Sequence, residues 1–201
     1  MGGNRAGAPY SYFYPYCLPD KSKCHVGLEE GILGEYLTDR LTEEAVSFIK
    51  SHSEGPFFLH LSHHAVHTVL QAPDSLINKY RNKTPGKYHK NPIYAAMIEK
   101  LDDSVDRICQ VIKTLGIADR TIVIFYSDNG GSEPVTDNYP LNGGKGMPYE
   151  GGSRVPLIIR WTGKIEGGIR SSVPITGVDF YPTFVTLAQG KIPANLDGKD
   201  I

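Results

Sequence analysis

Between Asn91 and Gly116 the chain spaces Ile98, Leu101, Val105, Ile108, Ile112 and Leu115 three or four residues apart. That interval returns an apolar side chain to one face of an α-helix, while Glu99, Lys100, Asp102, Asp103, Asp106 and Lys113 fall largely off the line. Asn91 supplies a capping side chain, Pro92 takes the first helical position, and Gly116 closes the far end. A coiled coil would use the same spacing, but the seam is short, and a helix laid on a sheet is the expectation. The next run, Thr121 to Tyr126, is β-branched and aromatic and ends in Ser-Asp-Asn-Gly-Gly, a strand meeting a loop.

Other segments repeat this alternation. Leu37, Leu41, Ala45, Phe48 and Ile49 predict an amphipathic helix from Thr38, and "GPFFLHLS", 55–62, predicts a buried strand behind a Gly-Pro breaker. Residues 154–161 read as a further strand, and 178–190 as a helix with Asp179 or a neighbour at its start. Helices alternating with buried strands predict an α/β architecture, a largely parallel sheet flanked by helices. The opening stretch "MGGNRAGAPYSYFYPY" carries neither leader, cap nor periodicity and reads as the interior of something longer.

With 201 residues, one domain or one large piece is expected. No apolar run approaches the roughly 20 residues of a membrane helix, so no span is expected. The 21 basic and 22 acidic residues are spread along the chain, which speaks against nucleic acid as a partner. Cys17, Cys24 and Cys109 form neither a Cys-x-x-Cys metal pair nor a dense disulfide framework, which leaves the compartment open. Asn82-Lys83-Thr84 fits a glycosylation pattern, relevant only in a eukaryotic secretory pathway.

Chemistry in open α/β sheets collects beyond the carboxyl ends of strands, where Asp128 and Asn129 stand. A carboxylate beside an amide carbonyl offers the hard oxygens that calcium or magnesium accepts; Asp-Asn-Gly-Gly is equally the composition of a plain turn. His60, His63, His64 and His67 crowd one segment, but their spacing fixes no three-ligand zinc set, and most are expected to be structural. Lys145, in "NGGKGMPYEGG", could meet an anion or belong to a solvated surface loop. Gly146 stands where a phosphate-binding loop would need Ser or Thr, so nucleotide binding is not supported.

Taken in order, "GEYLTDRLTEEAVSFI", "PFFLHLSHHAVHTVLQAP", "YAAMIEKLDDSVDRI", "TIVIFYSDNGG", "LNGGKGMPYEGGSRVPLIIRW" and "VDFYPTFVTLA" closely resemble the later part of the type I sulfatases, members of the alkaline phosphatase superfamily. The resemblance covers nearly the whole chain. It implies an alkaline-phosphatase-like α/β fold, here incomplete, and hydrolysis of a small-molecule or carbohydrate sulfate ester. It also implies that Asp128 and Asn129 help hold a divalent cation, usually Ca2+ with Mg2+ possible, and that Lys145 and His67 contact the sulfate group. Tyr149, Glu150, Gly151, Gly152 and Arg154 match a family motif read as support for the lysine loop.

Two departures stand out. Val69 replaces the proline that follows the histidine in many relatives. The family's early Asp-Asp pair and its Cys-x-Pro-x-Arg or Ser-x-Pro-x-Arg motif, whose first residue becomes the formylglycine nucleophile, are absent from these 201 residues. "CLPDK", 17–21, imitates that motif but carries lysine and lies too late, so Cys17 is expected to be an ordinary thiol. The expectation is therefore an internal part of a sulfatase catalytic domain, without the nucleophile region and the carboxyl-terminal subdomain, inactive alone, from a periplasmic or secreted parent. A phosphate or phosphonate esterase of the same superfamily and an inert truncated module remain alternatives.

Overall fold

A computed structural model describes residues 7–133 and 135–201; residues 1–6 of the opening stretch lie outside them. The chain divides into two compact units, one running to Ile165 and the other spanning Glu166–Ile201.

In the first unit, helix α1 (Leu37–Ser51) buries Leu37, Leu41, Ala45, Val46 and Ile49 on one face. Helix α3 (Pro92–Thr114) starts where the sequence predicts, the Asn91 side chain accepting hydrogen bonds from the Ile93 and Tyr94 amides at 3.0 and 3.2 Å. It buries Ala96, Met97, Ser104 and Ile112, however, and leaves Ile98, on the expected apolar line, exposed. Gly116 continues the chain at φ +68°, a left-handed conformation that a side chain would resist. The two helices pack along their length, with a buried Thr42–Ser104 hydrogen bond at their contact and an Asp39–Lys100 ion pair of 2.6 Å beside it. Helix α2 (Asp74–Arg81) was not expected; it is two turns long, with Ile77 its single buried residue. The Lys79–Glu99 pair, 2.7 Å, ties it to α3.

The aperiodic amino-terminal stretch is part of the interior. Tyr12 and Tyr16 are fully buried, in one cluster with Tyr36, Leu37, Leu41, Ala96 and Met97. Each phenol finds an acceptor, as buried hydroxyls require. Tyr16 donates to Glu35 Oε2 at 2.7 Å, Tyr36 to the Gln71 carbonyl at 2.8 Å, and Tyr12 faces the His64 and His67 carbonyls at 2.8 and 3.0 Å. Desolvation raises all three phenols well above the ordinary tyrosine range. Cys17 is not an ordinary thiol: it is bonded to Cys24 across a bridge of antiparallel backbone. Two cysteines seven residues apart reveal their pairing only once that hairpin-like turn is known.

Strand β1 (Val123–Tyr126) and strand β2 (Leu157–Arg160) form where two of the apolar runs predict them, but the ladder is antiparallel, pairing Val123 with Arg160 and Tyr126 with Leu157. The parallel expectation fails here for a topological reason. Parallel neighbours need a crossover, usually a full helix. Among the described residues between these strands lie glycine-rich loops and only the single turn α4 (Glu150–Ser153). Residues 57–62 alternate between half-buried and exposed, as a strand would, but lie outside the β1–β2 ladder. Period-two patterning reports which side faces the interior; it does not supply the neighbour.

In the second unit, the Asp179 side chain accepts from the Thr176 amide at 2.7 Å, fixing a 3-10 turn (Gly177–Asp179) that leads into helix α5 (Phe180–Leu187). Asp179 also accepts from the Lys199 amide at 2.8 Å, which draws the last residues back to this helix. These amide hydrogen bonds hold the Asp179 carboxyl below the usual aspartate range.

Candidate functional site

Strand β1 delivers the chain into residues 127–131, and this loop is fastened on every side. The Ser127 amide reaches the Pro156 carbonyl at 3.3 Å, and the Gly130 amide reaches the Gly152 carbonyl at 3.0 Å. A Cβ on Gly130 would run into the Gly151 carbonyl, and one on Gly151 into that of Gly143, so the two backbones meet only because both positions lack side chains. The Gly151 amide in turn donates to the Asn142 carbonyl at 2.8 Å.

Lys145 is joined to the same loop. Its amide donates to the Gly131 carbonyl at 2.9 Å. Asn138 clamps Gly131 from the other side, its Oδ1 accepting the Gly131 amide at 2.9 Å and its Nδ2 donating to the Gly131 carbonyl at 3.0 Å. Gly144 before Lys145 is therefore a packing position, buried where a Cβ would meet the Gly131 carbonyl, whereas Gly146 after it is exposed and stands at φ +81° in open space. Asn138 had no sequence signal, because an asparagine in a turn-rich stretch is unremarked until its partner is known. Within the one turn of α4, Gly151 and Gly152 make the backbone contacts to Asn142 and Gly130, while Glu150 accepts from Arg154.

Asp128 and Lys145 are exposed and Asn129 is half-buried. None of their side chains has a hydrogen-bond or ion-pair partner among the described residues. Asp128 and Asn129 supply two hard oxygens at a strand exit, suited in kind to calcium, which takes six to eight oxygen ligands. Among the described residues, no three His, Cys, Asp or Glu side chains converge as a metal set.

His67 belongs to a different neighbourhood. Its Nδ1 lies 2.6 Å from the Thr68 carbonyl, which requires a proton on Nδ1 and leaves Nε2 as the available ring nitrogen. Its backbone is held by the Tyr12 hydroxyl. No hydrogen bond or ion pair connects His67 to the loops of Asp128 and Lys145 among the described residues, so a backbone contact joins the loops of Asp128, Asn129 and Lys145 and none ties His67 to them.

His25, His63 and His64 do structural work. His25, only 2% exposed, places Nε2 3.1 Å from Nε2 of His64, so one ring donates to the other. His63 Nε2 lies 3.0 Å from Ser104 Oγ, which is itself 2.6 Å from Thr42 Oγ1. With the Thr42 hydrogen committed to the Thr38 carbonyl, Ser104 donates to Thr42 and His63 donates to Ser104. Nδ1 of His63 is left buried without a partner among the described residues. Burial accordingly pushes this imidazole down to about 4, and pushes His64 down as well.

Comparison with known proteins now decides the family: residues 3–191 match the sulfatase family. The chain is a member of the sulfatase family. It is 37% identical to a sulfatase of Formosa agariphila, an alignment covering 96% of this chain and 38% of that protein. It is 34% identical to human steryl-sulfatase over 82% of this chain and 29% of that enzyme. The sulfatase-family chain thus spans between a quarter and two fifths of the length of these relatives. Among solved structures, Ps i-CgsB in complex with k-i-k-neocarrahexaose superposes with a TM-score of 0.78 at 38% identity, covering 88% of this chain and 39% of that one. The sulfatase neighbours share the alkaline-phosphatase-like α/β fold, so the antiparallel β1–β2 pair is a local feature within that architecture. No helix among the described residues is long and apolar enough to cross a membrane.

Proposed function

We propose that this chain forms the anion-gripping part of a sulfate-ester hydrolase, with Lys145, Asp128 and Asn129 acting on one rim. The observation that carries the proposal is the Lys145–Gly131 backbone hydrogen bond, which pins the ammonium-bearing loop to the loop of the oxygen donors. An ammonium there can contact a sulfate oxygen and the leaving-group oxygen, opposing negative charge as the S–O bond breaks. Asp128 and Asn129 would be two of the ligands of a calcium ion, or of magnesium, which when bound supplies positive charge to the sulfate oxygens. His67 would donate to the sulfate from Nε2, and because Nδ1 already carries a proton, that contact needs the imidazolium form.

The substrate is a sulfate ester of a small molecule or a carbohydrate; the neocarrahexaose complex of a structural neighbour supports the carbohydrate side. Neither Cys-x-Pro-x-Arg nor Ser-x-Pro-x-Arg occurs in the 201 residues, so covalent attack by a formylglycine has no source in this chain. The chain is one part of a larger catalytic domain and is inactive alone. Its Cys17–Cys24 disulfide supports an oxidising location, periplasmic or secreted.

The test is binding and turnover of an aryl sulfate with calcium present. The chain is expected to bind the ester weakly, Lys145→Gln to lose at least about tenfold of that binding, and neither to hydrolyse it. Unchanged binding by Lys145→Gln would remove the lysine from the site, and turnover above background by the chain would refute its inactivity.

A further inference from the structure

The chain's balanced charge conceals a local excess. Between Asp74 and Glu99 stand Lys79, Arg81, Lys83, Lys87 and Lys90 and no acidic residue. Lys79 is paired with Glu99, and Arg81 turns back to Asn78. Among the described residues Lys83, Lys87 and Lys90 form no salt bridge, although the Glu99 carboxyl, held down chiefly by Lys79, also feels Lys83. Lys83 and Lys90 line a hollow of about 230 Å³ between the end of α2 and the start of α3, together with Tyr80 and His89 and with Pro85 and Ala95 as an apolar floor.

This hollow is built against the rim. The Tyr88 ring stacks on Tyr139 with centroids 4.4 Å apart, and His89 Nδ1 lies 3.2 Å from Thr136 Oγ1. Thr136 and Tyr139 flank Asn138, the residue that clamps Gly131 and so shares its carbonyl with the Lys145 amide. One continuous series of contacts runs from the basic hollow to the Lys145 loop.

The chemistry selects the occupant. Separate ammonium groups around an open hollow suit a ligand that carries its negative charges on different units, not one compact anion. The aromatic rings are not free stacking platforms of the kind unpaired bases use. Lys79 and Lys83 both lie over Tyr80, at 5.5 and 5.0 Å, and Tyr88 is already stacked. Partly covered rings, an apolar floor and dispersed cations match the C–H faces and spaced sulfates of a sugar chain.

We propose that the hollow lined by Lys83, His89 and Lys90 is a second anion subsite, which holds a neighbouring sulfated unit of a polysulfated carbohydrate while Lys145 faces the ester to be cleaved. The proposal rests on the sulfate-ester reading of the Lys145 rim and names its substrate class.

A sulfated hexasaccharide, its desulfated counterpart, an aryl monosulfate and an oligonucleotide of equal charge are titrated into the chain over a range of salt, with Lys83→Gln/Lys90→Gln and Lys145→Gln variants alongside. The double variant is expected to lose about tenfold in affinity for the sulfated hexasaccharide and to flatten its salt dependence by about 1 to 2 in log–log slope, while aryl monosulfate binding stays unchanged. Lys145→Gln should weaken both sulfated ligands. Full hexasaccharide affinity in the double variant would overturn the subsite and leave Lys145 untouched. Indifference of both ligands to Lys145→Gln would instead overturn the rim assignment. An oligonucleotide or desulfated sugar that binds as well as the sulfated hexasaccharide would overturn the choice of ligand.

Discussion

Around Met97 and Tyr12 the chain excludes water with large side chains, whereas around Gly130 and Gly151 it brings two backbones together by having none. The first arrangement draws its stability from apolar area and from phenols that find acceptors. The second draws it from amide hydrogen bonds that exist only while nothing stands between the loops. The interior therefore tolerates exchange among side chains of similar volume, while the rim tolerates almost no added atom. The Asp128 and Lys145 side chains can be exposed and unpartnered because the backbone, not their own contacts, holds their loops in place.

That contrast can be broken at either end. Met97→Ala empties a fully buried position and should cost about 2–5 kcal/mol of global stability, read as a lower urea midpoint at unchanged slope. A cost under about 1 kcal/mol would mean that the interior collapses to fill the space. Acid should act on the same region. The His63 imidazole is held to about 4 in the fold against 6.5 ordinarily, so the unfolded chain binds the extra proton first. Stability contributed by this residue is complete above pH 6.5 and is lost as pH falls towards 4, by about 3 kcal/mol in all. His63→Gln should flatten the pH dependence in that window, and an unaltered profile would assign acid sensitivity elsewhere.

Gly151→Ala addresses the rim, with an expected cost of about 1–3 kcal/mol. It should appear as faster amide exchange at Gly130 and Lys145, with protection in α3 unchanged. Equal loss of protection in both places would show that rim and interior open as one unit.

Much of the interior was legible in the sequence because a helix repeats. Leu37 to Ile49 declare their buried face through spacing, and Asn91 and Gly116 mark the ends of α3. The apolar line of α3 nevertheless misplaces its face: Ile98 is exposed, and Ala96, Met97 and Ser104 are buried instead beside Ile112. Tyr12 and Tyr16 could not be placed so, since irregular backbone has no period, and α2 is too short to show one. The antiparallel pairing of β1 and β2 was not legible because loops, not a crossover helix, join them. At the site, the residues were named through family resemblance, and the glycine-rich composition was visible while its purpose was not. Glycine for freedom and glycine for close approach look identical in a sequence. The basic excess from Lys79 to Lys90 was visible all along, but a whole-chain balance averaged it away.

Because the Gly131 carbonyl receives both the Asn138 side chain and the Lys145 amide, the peptide between these anchors behaves as two closed loops sharing one knot. Residues inserted at the loop tips can bulge outward without dragging the knot along. Substrate preference could thus diversify by swapping tip sequences beside the basic hollow, while the ammonium keeps its station.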